Sequence, residues 1–285
     1  MTLSLPEGAC DCHVHVIGPQ DAYPMLPGRR YTPGPAGVQA LHGHLRRLGL
    51  SRAVIVQPSV YGVDNRLLEE SLAQPRGAVR GVAVLGPEVD DGELARLHAA
   101  GVRGVRVNLE SAGASDPDAL ARLLSAWAGR VRGQGWHLQV YASCRALAAA
   151  APRVRKLGVP LVFDHFAMTP AQTAPDDHEL RAILDLVREG TAYVKLSAPY
   201  RIGGPGDADA VTALARTFAA ANPDRLLWAS DWPHTNRAPG AAPHEVSPYR
   251  DVPPGRLLEE IAAWLPDAAL RRRVLADNPA RLYGF

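Results

Sequence analysis

Asp11-Cys12-His13-Val14-His15, together with the later run Leu226-Leu227-Trp228-Ala229-Ser230-Asp231, decides how the chain is read. Both stretches are short and mainly apolar, so each reads as a buried strand. Side chains alternate faces along a strand, which sets the imidazoles of His13 and His15 side by side at one strand end. Two such rings are costly to bury unless both are hydrogen-bonded, so the pair marks a site more often than a piece of packing. There they can ligate a metal, polarise a carbonyl or hold an anion, and the distant Asp231 can complete the set as base or ligand.

Outward from these two runs, eight apolar segments rich in β-branched residues occupy 9–16, 52–58, 79–85, 102–108, 136–142, 159–164, 191–197 and 225–231. Helical patterns fill 37–49, 64–74, 91–100, 116–133, 145–157, 176–189, 207–221 and 255–265, with a last one at 267–276. Strands alternating with helices imply parallel pairing through crossovers, and eight such units predict an α/β fold, a single (β/α)8 TIM barrel spanning 1–285. Two long Pro- and Gly-rich connections, 17–36 and 232–254, each follow a strand that carries a candidate site residue. Barrel active sites lie at the C-terminal strand ends, so these loops are expected to cap the pocket.

The bulk properties narrow the function. Of 285 residues, 47% are hydrophobic and 21% charged, which provides ample core and excludes a disordered chain. The net charge of +2 comes from mixed signs with no basic or acidic block, which argues against a nucleic-acid or membrane surface. The expected partner is a small anionic molecule, with a homo-oligomer left open. Three cysteines, Cys10, Cys12 and Cys144, form an odd set poorly placed for mutual pairing and fit a reducing compartment. With no secretory leader pattern and no apolar stretch near the roughly 18 residues a membrane span needs, the chain reads as cytoplasmic. Lys156 and Lys195 are its only lysines, and no function follows from that in the sequence.

Polar side chains at the C-terminal ends of barrel strands should converge. Those candidates are His13 and His15, Ser59, Arg106 and Asn108, Tyr141, His165, Ser197 and Arg201, and Asp231. Taken singly, each has a bland reading: Asp231 before Trp232-Pro233 could cap a turn, Arg106 could be structural, and Tyr141 could line the wall. Three histidines, two arginines and an acid together suit hydrolysis of an anionic substrate.

The segments Asp11-Cys12-His13-Val14-His15, Gln57-Pro58-Ser59-Val60-Tyr61-Gly62, Val102-Arg103-Gly104-Val105-Arg106, Phe163-Asp164-His165 and Trp228-Ala229-Ser230-Asp231-Trp232-Pro233-His234, in this order, resemble the amidohydrolase superfamily. Within it they are similar to the branch containing 2-pyrone-4,6-dicarboxylate lactonase, from about residue 8 to Asn278-Pro279-Ala280-Arg281-Leu282-Tyr283. The resemblance implies a distorted barrel that uses water to open a lactone or similar carboxyl derivative. It places His13, His15, His165 and Asp231 at catalytic positions, and Tyr31, Thr32, Ser59, Arg106, Tyr141 and Arg201 where substrate is held.

Two departures from the pattern stand out. Binuclear superfamily members use a bridging lysine or glutamate on the fourth strand and a histidine on the fifth, whereas here those strands offer Arg106, Asn108 and Tyr141, which disfavours a two-metal centre. Dicarboxylate lactonases also carry a second basic residue soon after Arg106, where this chain has Ala112. The expected chemistry is attack of water activated by Asp231, with the histidines stabilising the oxyanion as donors or through one divalent cation, zinc or manganese. No obligatory cofactor is expected, because a lactone is an activated ester. A metal-dependent decarboxylase of the same superfamily, a sugar-acid lactone hydrolase and a non-catalytic metabolite-binding barrel are the competing readings.

Overall fold

All eight predicted apolar runs form strands of one parallel sheet. In the computed structural model, residues 3–73, 78–110 and 116–285 are described. The strands are Cys10–Val14, Arg52–Val56, Ala78–Ala83, Val102–Asn108, His137–Tyr141, Leu161–Phe163, Ala192–Leu196 and Leu226–Trp228, adjacent in chain order. Helices Val38–Leu48, Arg66–Leu72, Asp91–Ala100, Pro117–Val131, Cys144–Val154, His178–Arg188, Ala208–Ala221 and Pro254–Trp264 follow them in turn. Helix starts are fixed locally: Asp90, Ser143 and Asp177 each accept a backbone N–H of the first turn. Gly49 and Gly101 end their helices in the left-handed region that favours glycine.

Closure is incomplete in the regular ladder and is finished beyond it. The Asp231 N–H donates to the His13 carbonyl at 3.0 Å, and the His15 N–H to the Trp232 carbonyl at 2.8 Å. Asp11 braces this seam from outside the lumen: its carboxylate accepts the Ser230 N–H at 2.9 Å and the Ser230 hydroxyl at 2.5 Å, and meets Nε2 of His44 at 3.2 Å. The barrel is therefore distorted at one seam, and that seam joins the first-strand histidines to Asp231.

The first strand also carries a register shift between Asp11 and Val14. Such an irregularity changes which face successive residues take. Cys10 and Cys12 pack in the apolar cluster inside the lumen with Val54, Val162, Leu227 and Tyr283, while Val14 packs in the outer layer against the helices. His13 and His15 then face the lumen above the cysteines. Elsewhere the alternation is regular: Leu138 and Val140 join the outer layer, while Gln139 reaches groups inside the barrel.

Beyond the predicted last helix at 267–276 the chain stays helical. Ala268–Arg272 passes into a π segment, Arg273–Asp277, and then Asn278–Tyr283. Tyr283 plugs the N-terminal end of the barrel, its ring edge-on to His137 at 5.2 Å. At the opposite end the two long loops meet, with Thr32–Pro33 pairing with Val246–Ser247. No helix is long and apolar enough to cross a membrane among the described residues.

Candidate active site

Three imidazoles and one carboxylate converge where the closing seam reaches the C-terminal end of the barrel. Nε2 of His15, His13 and His165 lie 3.6, 3.8 and 3.9 Å from Oδ1 of Asp231. All four side chains are buried. The other carboxylate oxygen, Oδ2, accepts Nε and Nη2 of Arg201 at 2.9 and 2.6 Å and the Tyr200 hydroxyl at 2.9 Å. Oδ1 has no hydrogen-bond partner. A buried carboxylate oxygen left open beside three ring nitrogens is the place where a water, a substrate atom or a cation belongs.

The charge states follow from the surroundings. Burial pushes the Asp231 carboxyl up, but Arg201 and then His165 outweigh it and hold it well below the usual carboxylate range. Burial drives His165 down to about 3, and drives His13 well below its ordinary value against the pull of Asp164. An ionised acid thus faces the neutral rings of His13 and His165 at pH 7. His15 has a fixed tautomer in its neutral form: Nδ1 lies 2.8 Å from the Val56 carbonyl, which can only accept, so Nε2 presents a lone pair.

Strained backbone aims two of these groups. His165, Phe166, Ala167 and Met168 all adopt left-handed φ of 50–55° just after the sixth strand, and Asp231 has φ 64°. Each such residue without a glycine costs about 1 kcal/mol or more, a cost borne at sites where a side chain must point one way. The turn at His165 brings its Nδ1 within 2.9 Å of the Ser197 hydroxyl and its Nε2 towards Asp231.

Beneath His13 lies a buried polar layer. Nδ1 of His13 is 3.2 Å from Asp164 Oδ1 and 3.2 Å from Lys195 Nζ. Lys195 also donates to Gln139 Oε1 at 2.7 Å and lies 3.4 Å from Asp164 Oδ1, while Gln139 Nε2 donates to Asp164 Oδ2 at 3.1 Å. Burial depresses the Lys195 ammonium, with Asp164 opposing it. Above this layer a cavity of about 270 Å3 is lined by His15, Tyr31, Ser59, Arg106, Glu110, Tyr141, His165, Arg201, Thr235, Asn236, Arg237 and Arg250. Arg106 donates to the Gln57 carbonyl at 3.3 Å and to Asp164 at 3.4 Å, and its buried Nε has no acceptor. A larger cavity of about 510 Å3 opens behind Tyr200 and Arg250, between the helices Ala208–Ala221 and Pro254–Trp264. No imidazole lines it, whereas His15 and His165 line the smaller one.

The family model described as amidohydrolase matches residues 10–285. The chain belongs to the amidohydrolase family. It is 34% identical to the 2-pyrone-4,6-dicarboxylate hydrolase of Comamonas testosteroni, over 98% of this chain and 91% of that protein. It is 31% identical to the 4-sulfomuconolactone hydrolase of Rhizobium radiobacter, over 100% of this chain and 92% of that one. A solved structure of a candidate 2-pyrone-4,6-dicarboxylic acid hydrolase from Pseudomonas putida superposes with a TM-score of 0.82 at 32% identity, covering 99% and 98% of the two chains.

Of the residues expected from the amidohydrolase resemblance, the structure brings His13, His15, His165 and Asp231 together, and Tyr31, Ser59, Arg106, Tyr141 and Arg201 around the adjoining cavity. Thr32 stands apart from the cavity lining: it is buried in the loop pairing, its hydroxyl donating to the Pro243 carbonyl and accepting from Arg29, both at 2.7 Å. Arg201 lines the cavity with its guanidinium already bound to Asp231. Ala112, the departure near Arg106, lies outside the described residues. Sequence reasoning passed over Tyr200, Gln139 and Lys195. A lysine inside the apolar strand Ala192–Leu196 was the available signal for Lys195, since an unpaired charge is not buried there without a reason.

Members of the superfamily often use a divalent metal. The donors here fit one cation: one ligand atom each of His13, His165 and Asp231 lie within 4.8 Å of one another, with Asp231 Oδ1 unpartnered and the His15 lone pair beside it. Neutral imidazoles with a carboxylate suit zinc or manganese. Among the described residues this is the one cluster of its kind.

Proposed function

We propose that this amidohydrolase opens the ring of a small carboxylated lactone, with 2-pyrone-4,6-dicarboxylate and sugar-acid lactones as the substrate classes to test first. The observation that carries this reading is the asymmetry of Asp231: Oδ2 is saturated by Arg201 and Tyr200, while Oδ1 is bare and faces three imidazole Nε2 atoms. Lactone hydrolysis needs a water stripped of a proton within reach of a carbonyl whose oxygen gains charge. In this reading Oδ1 takes that proton and a hydrogen on His165 Nε2, with Ser197 donating to its Nδ1, meets the oxyanion, while the His15 lone pair serves a water or a cation. The kinship with lactone hydrolases over nearly the whole chain points the same way.

Substrate orientation falls to the cavity wall. The free Nε of Arg106 and the arginines Arg237 and Arg250 provide donors for substrate carboxylates, and Tyr31, Ser59 and Tyr141 provide hydroxyls. Holding the acid groups fixes the ester carbonyl beside the water and lowers the barrier through orientation. Asp231 is held so acidic that it is a weak base, so the groups around the water must stabilise charge as the proton leaves. A single divalent cation held by His13, His15, His165 and Asp231 would add Lewis-acid polarisation of the carbonyl and a more acidic water. An activated ester reduces the need for that help, and we read the cation as accommodated rather than obligatory. Three buried free cysteines suit a reducing, cytoplasmic setting.

The test is a pH-stat screen of purified protein against carboxylated lactones, with and without chelator, with a dicarboxylate pyrone first. Stoichiometric acid release from at least one lactone is expected. Carbon dioxide release from an enoic or aromatic acid, with no lactone opened, would replace this reading with decarboxylation.

A further inference from the structure

We propose that Lys195 is a positioning residue that sets the tautomer of His13, and so selects between a hydrogen-bonded pair of imidazoles and a pair of open ligands. The inference rests on His13 belonging to the hydrolytic site, but its readout below needs no turnover, so it can fail independently of that reading.

The argument is a count of donors and acceptors in a sealed layer. Lys195, Gln139, Asp164 and His13 are all buried, so each hydrogen must find its partner inside the protein. An ammonium has three donors and no acceptor. Around Lys195 Nζ stand three acceptor positions: Gln139 Oε1 at 2.7 Å, His13 Nδ1 at 3.2 Å and Asp164 Oδ1 at 3.4 Å. Gln139 is oriented by its other end, which donates to Asp164 Oδ2, so its oxygen is committed to the lysine. The match is complete only if His13 Nδ1 is a lone pair. The single hydrogen of the neutral ring then sits on Nε2.

At that other nitrogen the count closes again. Nε2 of His13 lies 3.3 Å from Nε2 of His15, whose hydrogen is fixed on Nδ1 by the Val56 carbonyl. With hydrogen on His13 Nε2, the two rings form a donor–acceptor pair. With hydrogen on His13 Nδ1, donated to Asp164 at 3.2 Å, two lone pairs would oppose each other across that 3.3 Å gap. A cation between or beside them relieves that repulsion, and this arrangement is the one that offers both Nε2 atoms as ligands. Without a cation it forms once the lysine's demand on Nδ1 is removed and Asp164 alone holds that nitrogen. Asp164 and Lys195 thus contact the same ring nitrogen with opposite demands. In the cation-free protein the lysine's demand is met, and one ring hydrogen changes nitrogen when a cation enters, with no change in the ring's charge.

The experiment is a long-range 1H–15N spectrum of protein labelled at its ten histidines. It is recorded after chelator treatment and again with one equivalent of zinc, His13 being assigned by the signal lost in His13→Gln. The expected result is Nε2–H on His13 without metal and Nδ1–H with zinc. Lys195→Met, which removes the ammonium at similar length, should show Nδ1–H in both states and bind zinc about tenfold more tightly in calorimetry. Nδ1–H or a doubly protonated ring in chelator-treated wild-type protein overturns the proposal, as does a folded Lys195→Met protein with the wild-type tautomer. Should that variant fail to fold, the wild-type spectra alone decide.

Discussion

Nε2 of His15 and Oδ1 of Asp231 face each other across 3.6 Å, and neither carries a hydrogen when the imidazole is neutral. Two lone pairs so placed repel unless something positive or hydrogen-bearing comes between them. The hydrogen on His13 Nε2 serves the His15 lone pair in the cation-free protein, so Asp231 Oδ1 is the atom left to take a hydrogen from an incoming water.

The first expectation concerns that carboxylate. Asp231→Asn keeps the shape and removes the base, so kcat for lactone opening should fall by about 100-fold or more while the circular dichroism spectrum is unchanged. Near-normal turnover in the folded variant would remove Asp231 from the role of base.

Binding should be separable from chemistry at Arg106. Its Nε is buried without an acceptor, while its other nitrogens are held by Gln57 and Asp164. Arg106→Lys keeps the charge but loses the fork, so KM for a carboxylated substrate should rise about tenfold with little change in kcat. An unaltered KM would mean that the substrate carboxylate is held elsewhere.

Cation stoichiometry provides a third check. Calorimetric titration of chelator-treated protein with zinc should give one site per chain, and His15→Ala and His165→Ala should each weaken it about tenfold or more. Two equivalents bound tightly would contradict the single cluster formed by His13, His165 and Asp231. Chelated protein should still open an activated lactone; activity that vanishes on chelation and returns with zinc would make the cation essential.

Acid sensitivity can be traced to the far end of the barrel. Burial, aided by Lys195, lowers His137 from its usual 6.5 to about 3. The unfolded chain then takes up a proton that the folded state refuses, so stability is fully present above about 6.5 and declines as the pH falls towards 3. His165 at about 3 and His234 at about 4 act in the same direction. Urea midpoints should drop steadily between pH 7 and 4, and His137→Leu should flatten part of that slope. A midpoint independent of pH across this range would refute the assignment.

The barrel was readable from sequence because its signal is local. Each strand is an apolar run, each crossover a helical period, and the predicted strand bounds lie within three residues of the observed ones, coinciding at Val102–Asn108 and differing at 159–164 against Leu161–Phe163. The same-face geometry of His13 and His15 was readable for the same reason, although the register shift at Asp11 was not. What stayed hidden depends on cross-barrel contacts with no fixed spacing. The clamp of Arg201 and Tyr200 on Asp231 spans 30 and 31 residues, and the meeting of Lys195 with His13 spans 182. Thr32 shows the converse: a resemblance carries a position forward, and the local fold then turns its hydroxyl to a loop carbonyl.

The seam between the first and last strands has a kinetic meaning. Half of the proposed catalytic set lies within the first 15 residues and the proposed base more than 200 later, and no ordinary ladder joins the two strands except the short contacts at His13, His15 and Asp231. A refolding molecule can complete most of its helices and still hold no assembled catalyst. Regain of turnover after dilution from denaturant is therefore a stopwatch for ring closure, distinct from the earlier return of helical dichroism.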